Sequence, residues 1–551
     1  MRLVPHWEEL LVVCAYAAHV VVVPGTKVEE SFTLHATRDF LLRGTSSDQL
    51  ERFDHVEFEG AVPRSFVPPF LLASLPTPAL QLAGQAGLIR DGVDAQVIVR
   101  LVLAFVSALA LIFLSRRVRS TYGARIAKYT LVLSATQFHV PFWAGRTVPN
   151  MLAFPLVQIA MGLFISPPVL QALAKPRFAT RRNTLLGFAI LTFAALVIRL
   201  ELLALLVPFA LENLLQGSVG FVELAGTGIV ATAASLATSV VVDSHLWRTS
   251  TWLWPEGHAF WFNVVEGKSS DWGVSPPLHY FTSALPKLLH LSLLPAAFSF
   301  LLDRRSRRLL LPCIVFVALL SALEHKEWRF AVYVVPAFTV AAAGGIVGYG
   351  AFTGSARLRR LALLALVGAN LLFTALGALA SSQNYPGLAA VSFLTQHLAN
   401  ERGKFSPANG KPVKVHVGIE AKMTGASTFV LYDQEGTTPE GDNEAWYLTP
   451  RTVGATAIIV YDRSEAPALS TLDGLSRSGE YDYALVDAAA ADWTLFDTGD
   501  ASGAESVRVL YEAPTFAGFD WRAVVLRGQV GDFVRTRPSV RVVQFSRTDA
   551  A

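Results

Sequence analysis

The sequence predicts an α-helical multi-pass membrane protein that ends in a small α/β domain. Of the 551 residues, 52% are hydrophobic and only 16% are charged, whereas a soluble domain carries about 25% charged residues. The mean hydropathy is +0.42, and the apolar residues are gathered into stretches that approach the roughly 20 residues that a spanning helix needs. The chain after about residue 382 is instead polar and rich in Gly, Ser and Asp.

The apolar stretches predict about eleven membrane spans. They lie near residues 8–23, 95–114, 124–143, 149–166, 184–198, 202–215, 219–241, 281–302, 309–323, 329–351 and 361–380. The first stretch lacks a small-residue cleavage site, so it is predicted to be a retained span rather than a signal peptide. Residues 65–89 are apolar but contain four prolines, which predicts interfacial or re-entrant helices.

Loop charges predict the orientation of these spans. With the N-terminus in the cytosol, the short loops on that side hold Arg116, Arg117, Arg119, Arg125, Lys175, Arg177, Arg181, Arg182, Arg304, Arg305, Arg307, Arg308, Arg357, Arg359 and Arg360. The short loops on the far side hold Arg146, Arg199, Lys326 and Arg329. An excess of Lys and Arg in cytoplasmic loops is the positive-inside pattern. The far side, lumenal or extracellular, therefore receives loops 24–94 and 242–280, the cluster 324–328 and everything after about residue 382.

The composition change predicts two domains, a transmembrane region 1–382 and an α/β domain 383–551. The second domain contains short β-like runs that alternate with helical segments. These runs read "VKVHVGIE", "ATAIIVYD", "YDYALVD", "SVRVLYE" and "RAVVLRG".

Several function classes are excluded by what the sequence lacks. The net charge is only +3, and no basic patch with interleaved aromatic residues indicates nucleic acid. Cys14 and Cys313 both lie in apolar stretches, which argues against a disulfide framework. The sequence has no Walker loop, Rossmann glycine fingerprint, CxxC zinc pair or H-E-x-x-H motif, and no Asp-x-Asp pair placed to bind a metal and a nucleotide sugar. We therefore expect no cofactor and no metal.

Candidate catalytic residues lie on the far side. Glu29 and Glu30 are adjacent carboxylates just after the first span; such a pair often only solvates a helix end. The alternative is a general base near the bilayer, whose basicity partial desolvation would tune. The loop 53–66, "FDHVEFEGAVPRSF", is dense in acids and His, which is suggestive without being specific.

Aromatic residues mark a second loop on the same side. It contains Trp247, Trp252, Trp254, Trp261 and Trp272. Tryptophans at this depth form an interfacial belt by default, and tryptophans interleaved with polar groups also suit the stacking of sugar rings. The residue pattern leaves both interpretations open.

A charged cluster, "EHKEWRF", interrupts two apolar spans at residues 324–330. At bilayer depth each charge would cost about 2.5–3.5 kcal/mol, but the predicted topology places the cluster at the membrane edge. It is either a short connecting loop or one half of a site whose cations face the acids Glu29 and Glu30.

The segment "HKEWRF" (325–330) resembles the H-K-E-x-R-F element of the endoplasmic-reticulum GT-C mannosyltransferases, a family that uses dolichyl-phosphate mannose as donor. Three further stretches resemble the branch that adds an α-1,6-linked mannose to the lipid-linked oligosaccharide Man7GlcNAc2-PP-dolichol in the N-glycan precursor pathway. They are "TKVEESF" (26–32), "FDHVEFEGAVPRSF" (53–66) and "WPEGHAFWFNVVEGKSSDWGVSPPLHYFTSALP" (254–286). Residues 415–429, "VHVGIEAKMTGASTF", are similar to the family's lumenal segment.

The resemblance implies an inverting displacement at the anomeric carbon, in the endoplasmic reticulum membrane, with the active site and the C-terminal domain in the lumen. One carboxylate would accept the proton of the acceptor hydroxyl, and cations would stabilise the departing lipid phosphate. We expect Glu29 as the base, with Glu30 as second choice, and a set of donor phosphate partners: His325, Lys326, Arg329 and Arg199. The expected contacts to the acceptor are Asp54, His55, Glu57, Arg64, Trp254, Glu256 and Trp272.

Three alternatives stay open. A sister enzyme would act on a glycosylphosphatidylinositol precursor or form α-1,2 linkages. A transporter would line its path with charges such as Arg199 and Glu201, but no inverted repeat is found. A non-catalytic glycan-binding scaffold would use the tryptophans and leave the acids and cations without a role.

Overall fold

The computed structural model describes residues 5–165, 178–400, 412–431, 459–466, 469, 471–489, 507–523 and 529–545. Two compact units are formed by discontinuous segments. The first consists of Met1–Val20, Ser47–Leu72 and Arg100–Ala375, and the second of Val21–Ser46, Ala73–Val99 and Leu376–Ala551.

Helices make up most of the described chain. The α-helices are Trp7–Val22, Ser31–Arg43, Asp54–Glu57, Val67–Ser74, Thr77–Gln85, Gly92–Tyr122, Ala124–Thr136, His139–Trp143, Pro149–Phe164, Phe178–Phe193, Leu203–Leu215, Phe221–Leu246, Pro255–Phe260, Leu285–Leu289, Leu293–Leu302, Arg304–Leu320, Val335–Phe352, Ala356–Ser382, Pro386–Asn400, Ile419–Met423 and Leu472–Ser478. Single π-helical turns cover Ala194–Ile198, Trp261–Val265 and Tyr280–Ala284. Short 3-10 turns lie at Val28–Glu30, Leu50–Arg52, Leu200–Leu202, Lys268–Trp272, His290–Ser292, Trp328–Phe330, Val332–Val334 and Val530–Asp532.

Among the described residues, 6 helical segments are long and apolar enough to cross a membrane. They are Gly92–Tyr122, Thr180–Ile198, Phe221–Leu246, Tyr280–Leu302, Val332–Phe352 and Ala356–Ser382. Every predicted span overlaps a helix, but several of these helices are shorter. Trp7–Val22 has 16 residues and Leu203–Leu215 has 13. The chain is therefore a mostly helical membrane protein, and the number of crossings stays a prediction.

Burial separates the central helix of the first unit from its peripheral ones. The most apolar stretch of Val332–Phe352 is 78% buried inside the protein, whereas that of Phe221–Leu246 is 11% buried. Val222 and Ile229 on the latter helix are 81% and 71% exposed. Apolar side chains exposed along a whole spanning helix suit contact with lipid tails.

Close helix packing in the first unit depends on a small residue. A Cβ added at Gly345 would lie 1.9 Å from the carbonyl oxygen of Pro295, so the helices Leu293–Leu302 and Val335–Phe352 approach backbone to backbone. Membrane helices that pack this closely use small residues at the contact because dispersion and weak polar contacts replace the hydrophobic effect there.

The Gly345→Ala substitution is expected to destabilise the protein by about 1–3 kcal/mol, because the methyl group would overlap a backbone atom that cannot move alone. Thermal unfolding in detergent should show a midpoint several degrees lower. Gly368→Ala is the matched control, since nothing lies within 4 Å of the Cβ position at this helical glycine. Equal midpoints for the two variants would contradict the close approach.

The second unit joins the segment after the first helix to the C-terminal part of the chain. The amide of Gln96 donates to the carbonyl oxygen of Pro24 (2.8 Å) and accepts from the hydroxyl of Ser427 (2.6 Å). A Cβ at Gly92 would overlap the carbonyl oxygen of Phe429. These contacts fix residues 73–99 against the segment 415–429.

A five-stranded sheet forms the core of the second unit. The strands are β1 (Val413–Val417), β2 (Ile459–Asp462), β3 (Tyr483–Asp487), β4 (Val507–Phe519) and β5 (Val534–Phe545). Their order is β2-β1-β3-β5-β4. β1 pairs in parallel with β2 and β3, whereas β5 pairs antiparallel with β3 and β4. Helix Pro386–Asn400 packs its buried face, including Leu394, against this sheet.

The small C-terminal sheet predicted from the sequence is thus present. Four predicted β-like runs contain or begin β1 to β4, whereas the run 522–528 lies mostly outside the described residues. β5, which pairs with both of its neighbours, was not predicted. The predicted division of the chain at residue 382 stays a prediction.

Candidate functional site

A break in a membrane helix creates the centre of the candidate site. The helix that begins at Phe178 ends in the π-helical turn Ala194–Ile198, and Arg199 then adopts an extended conformation (φ −153°, ψ 104°). A 3-10 turn at Leu200–Leu202 leads into the next helix. π-turns and interrupted membrane helices are typical of functional sites, because the polar groups of irregular backbone inside a membrane protein must be satisfied by other groups.

The loop that follows helix Phe221–Leu246 supplies those groups. The Trp254 indole N–H donates to the carbonyl oxygen of Leu196 (2.8 Å), and the Leu200 amide donates to Oε2 of Glu256 (2.8 Å). Gly257 allows the indole ring to lie against the loop, since a Cβ there would lie 2.1 Å from Trp254 Cε3. The sequence "WPEG" therefore supplies hydrogen-bond partners for backbone groups on both sides of the helix break.

Arg199 is held by a network of polar side chains. Its Nε–H donates to both carboxylate oxygens of Glu201, at 2.9 and 3.1 Å. The Asn150 amide donates to Glu201 Oε1 (2.8 Å) and to the Tyr333 hydroxyl (3.1 Å). The Arg199 guanidinium lies 5.4 Å from the centre of the Phe330 ring. Glu201 thus fixes one edge of the guanidinium, and the orientation of the group is set before any ligand binds.

Further charges surround Arg199. Arg64 lies in the electrostatic field of Arg199, Glu256 and Arg329, and burial lowers its pKa to about 10, which leaves it charged at neutral pH. Burial also raises the pKa of Glu256 to about 7, although the Arg199 guanidinium opposes this shift. Burial by itself lowers the pKa of Arg199, but Glu201 and Glu256 outweigh it and raise that pKa above its ordinary value. Two of these guanidinium groups, Arg64 and Arg199, are therefore half-buried cations that repel each other.

The raised pKa of Glu256 predicts a specific pH dependence of stability. The unfolded carboxyl has a pKa near 4.5, so between that pH and about 7 the folded state binds more protons than the unfolded state. Stability contributed by protonated Glu256 is therefore lost as pH rises through this window. The unfolding midpoint of the wild type, minus that of Glu256→Gln, should fall as pH rises from about 5 to 8. A difference that increases with pH would show that Glu256 is held ionised.

The charged cluster 324–330 is tied to the long loop 247–279. The Ser275 amide donates to the carbonyl oxygen of Glu324 (3.0 Å), and the His325 ring Nδ1 lies 3.0 Å from the carbonyl oxygen of Gly273. His325 Nε2 lies 3.0 Å from Glu327 Oε1, and Arg329 pairs with both oxygens of Glu327, at 2.7 and 2.6 Å. Glu327 is the carboxylate that positions both the His325 ring and the Arg329 guanidinium.

Lys326 has a different environment from its neighbours. It is only 7% exposed, and its ammonium group donates to the carbonyl oxygens of Ser275 (3.1 Å) and Leu323. An ammonium group has three donors, and two are used by these carbonyls. The side chain therefore joins the cluster to the long loop whether or not it also contacts a ligand.

Among the expected acceptor residues, His55 is surrounded by aromatic rings. Its Nε2 lies 3.1 Å from the carbonyl oxygen of Leu246, and its ring contacts Phe66 and Trp247. Burial lowers the pKa of His55, which favours the neutral ring. Asp54 is half-buried and Glu57 is exposed on the same short helix, so these carboxylates, rather than His55, face the surroundings.

The tryptophans of residues 247–279 separate into two groups. The Trp247 indole N–H donates to the carbonyl oxygen of Arg64 (2.9 Å), and Trp254 caps the broken helix as described. Trp252, Trp261 and Trp272 are 84%, 61% and 62% exposed. Exposed rings can stack on a sugar or enter the membrane interface, and the two alternatives from the sequence remain.

Glu29 and Glu30 belong to the second unit and differ from each other. They form a 3-10 turn that follows the first helix and leads into helix Ser31–Arg43. Glu30 is fully buried and its Oε1 accepts the Lys27 amide (3.0 Å), whereas Glu29 is exposed. Glu30 therefore stabilises the turn that presents Glu29.

Sequence reasoning did not assign four residues that organise this site: Asn150, Glu201, Glu327 and Tyr333. Glu201 carried a usable signal, because an ionisable residue inside an apolar stretch indicates a functional site by default. Asn150 and Tyr333 carried none, since a single amide or phenol in an apolar helix is ordinary.

Comparisons with known proteins agree on one family. The family model described as "Alg9-like mannosyltransferase family" matches residues 16–431. The Dol-P-Man:Man(7)GlcNAc(2)-PP-Dol alpha-1,6-mannosyltransferase of Drosophila melanogaster is 35% identical over 434 residues, which cover 78% of this chain and 59% of the relative. The Arabidopsis thaliana protein of the same name is 30% identical over 427 residues, 76% of this chain and 80% of the relative.

A solved structure resembles the whole chain in fold. The crystal structure of ArnT from Cupriavidus metallidurans bound to undecaprenyl phosphate aligns with 99% of both chains, with a TM-score of 0.53 and 14% sequence identity. At this identity the likeness concerns the fold alone.

Proposed function

Because the chain belongs to the Alg9-like mannosyltransferase family, we propose that it transfers mannose from dolichyl-phosphate mannose to Man7GlcNAc2-PP-dolichol. The new linkage is α-1,6, and the reaction is a step in N-glycan precursor assembly. Relatives from Drosophila, Arabidopsis and Saccharomyces cerevisiae that carry this activity in their names support the choice of donor and acceptor.

One structural observation supports the proposed transfer from a lipid phosphate. The broken helix presents the Arg199 guanidinium with one edge already bound to Glu201, in the field that also includes Arg64 and Arg329. A lipid-phosphate leaving group needs fixed cations at the place where its charge develops. Arginine suits this role because its planar fork binds phosphate oxygens through two parallel hydrogen bonds.

The reaction proceeds by one displacement. The donor is a β-mannosyl phosphate and the product an α-mannoside, so the acceptor hydroxyl attacks the anomeric carbon from the face opposite the phosphate. A carboxylate, Glu29, takes the hydroxyl proton. The bond from the anomeric carbon to the phosphate oxygen breaks, and dolichyl phosphate leaves with its negative charge bound by Arg199, Arg329, His325 and Lys326. The phosphate needs no general acid, and the reaction uses no metal or cofactor.

Recognition of the acceptor falls to the far-side loops. Asp54, Glu57 and the exposed Trp272 offer carboxylates and a ring face to a mannose-rich glycan. Arg64, His55, Trp254 and Glu256 support the same region from within, since each is bound to backbone or placed near Arg199.

We further propose the topology in which these parts work together. The chain has the GT-C type of fold with about eleven spans in the endoplasmic reticulum membrane. Its N-terminus is cytosolic, and the reacting groups and the domain 383–551 are lumenal. The basic residues of the loops assigned to the cytosol support this orientation.

The decisive experiment is the profile of lipid-linked oligosaccharides in cells that lack the protein. Precursors should accumulate with seven mannoses, and purified protein should add one α-1,6 mannose to them from dolichyl-phosphate mannose. A full-length precursor in these cells would refute the proposal. Transfer only to a glycosylphosphatidylinositol precursor, or through an α-1,2 linkage, would assign the chain to a sister activity.

A further inference from the structure

The long hairpin of β4 and β5 extends beyond the body of the C-terminal sheet. β5 pairs with β3 only from Val540 to Gln544, whereas its pairing with β4 continues to Val534. Pro514 and Pro538 lie opposite each other where the sheet narrows to two strands. A two-stranded ribbon is marginally stable in water without a surface to cover it. We call residues 514–523 and 529–538 the hairpin end.

Aromatic rings are concentrated in the hairpin end. Phe519 stacks on Phe533 with ring centres 4.9 Å apart, and Trp521 contacts Phe533 at 4.8 Å. Phe516 lies 5.0 Å from Phe519. Trp521 is 53% exposed and the three phenylalanines are half-buried. The hairpin end therefore carries a cluster of four aromatic rings, each of them at least partly accessible.

Basic residues accompany these rings. Arg522, Arg535 and Arg537 are exposed in the hairpin end, and Arg535 pairs with Asp520. An exposed indole beside arginines is typical of segments that lie in the headgroup region of a membrane.

Contacts with helix Pro386–Asn400 give the direction in which the hairpin end points. The Thr515 hydroxyl donates to Asn384 Oδ1 (3.2 Å), just before this helix begins, and Tyr511 stacks on Phe393 farther along it (4.6 Å). The helix and β4 therefore run in opposite directions. Phe519 lies about 13 Å beyond Thr515, past the start of the helix, at a rise of about 3.3 Å per residue.

For this inference we take the end of the candidate span Ala356–Ser382 as the level of the membrane surface. Asn384 follows the candidate span Ala356–Ser382 by two residues. Helix Pro386–Asn400 and the sheet core extend in one direction from that point, and the hairpin end extends in the other.

We propose that the hairpin end docks on the bilayer surface beside the exit of this span, with Trp521 and the phenylalanines in the headgroup region and the arginines on lipid phosphates. The occupant is the lipid of the protein's own membrane. Arginine charge complements headgroup phosphates, and the connection through Asn384 puts the rings within reach of them. A neutral mannose-rich glycan would use the ring faces but has no charge for the arginines to bind.

Quenching of Trp521 by brominated lipid tests this docking. The full-length protein is placed in bilayer discs of phosphatidylcholine brominated near the glycerol end of its acyl chains, and in unbrominated discs. The contribution of Trp521 is obtained by subtracting the fluorescence of the Trp521→Phe protein from that of the wild type. We expect bromination to reduce this difference about twofold, as for an interfacial indole.

A tryptophan at the opposite end of the strand pair serves as control. Arg477 is exposed on helix Leu472–Ser478, which packs against Val507 and Phe545. The control protein carries Arg477→Trp together with Trp521→Phe. The fluorescence that it shows above that of the Trp521→Phe protein comes from the new tryptophan, and we expect bromination to leave it unchanged. The proposal is overturned if Trp521 is quenched no more than this control. A second outcome would also overturn it. If free oligomannose protects Trp521 from quenching by acrylamide, and brominated lipid does not quench Trp521, the hairpin end is a glycan-binding surface instead.

Discussion

Replacing Glu29 by Gln is expected to reduce mannose transfer by about 10²–10⁴-fold, the usual contribution of a general base. Gln keeps the size and the hydrogen-bonding oxygen of Glu but cannot take a proton. Single-turnover transfer in detergent, at saturating donor, measures the chemical step directly. Near-normal transfer would remove Glu29 from the reaction.

The neighbouring acid provides the matched control. Glu30 is fully buried and accepts the Lys27 amide through Oε1, and the carboxamide of Gln can accept the same bond. Glu30→Gln is therefore expected to keep most of the activity. The opposite outcome, with Glu30→Gln inactive and Glu29→Gln active, would assign the base to Glu30.

Arg199→Gln is expected to lower kcat by about 10²–10³-fold, comparable to the loss of one preorganised donor at a developing negative charge. The same change would leave Glu201 as a half-buried carboxylate without its cation, which costs at most about 3–5 kcal/mol of stability. Loss of activity could then reflect unfolding.

A double variant separates these two effects. Arg199→Gln with Glu201→Gln removes both charges, so its unfolding midpoint should recover towards that of the wild type while transfer stays low. Arg199→Lys should restore part of the activity, because an ammonium keeps the charge but not the planar fork. Arg248→Gln, at a surface pair with Glu51, should leave kcat unchanged. Full activity in the double variant would show that Arg199 serves only the fold.

The membrane helices could be predicted from the sequence because a run of apolar residues is a local property. Each predicted span overlaps a helix in the structure. The position at which a helix ends depends less on local sequence. The helix from Phe178 stops at Arg199 because Trp254 and Glu256 bind the backbone groups on either side of the break, and no pattern within residues 184–215 specifies those partners.

The candidate site shows the same division. The ionisable side chains Arg199, Arg329 and His325 were visible in the sequence because they interrupt apolar stretches. Their orientation was not, since it depends on the conformation in which Glu201 and Glu327 reach side chains two residues away, and on Asn150, which holds Glu201 from another helix. The contact of Glu201 with Asn150 joins residues 51 positions apart, beyond the range of any periodicity.

β5 escaped prediction for a related reason. Its first half, "VRTRP", alternates arginine with small or apolar residues and contains Pro538, a composition that reads as loop. The pairing with β4 makes it a strand, and β4 itself continues through Pro514 well past its predicted end.

The interruption at Arg199 also imposes an order on synthesis at the ribosome. The carbonyl of Leu196 and the amide of Leu200 receive their partners from side chains 58 and 56 residues later in the chain. At about 5–20 residues per second, those partners are made roughly 3–11 s after the interruption itself. Until then the carbonyl of Leu196 and the amide of Leu200 lack these partners. Arg199 is therefore held in place only after residues 254–256 have been made, although it is synthesised with the helix before it.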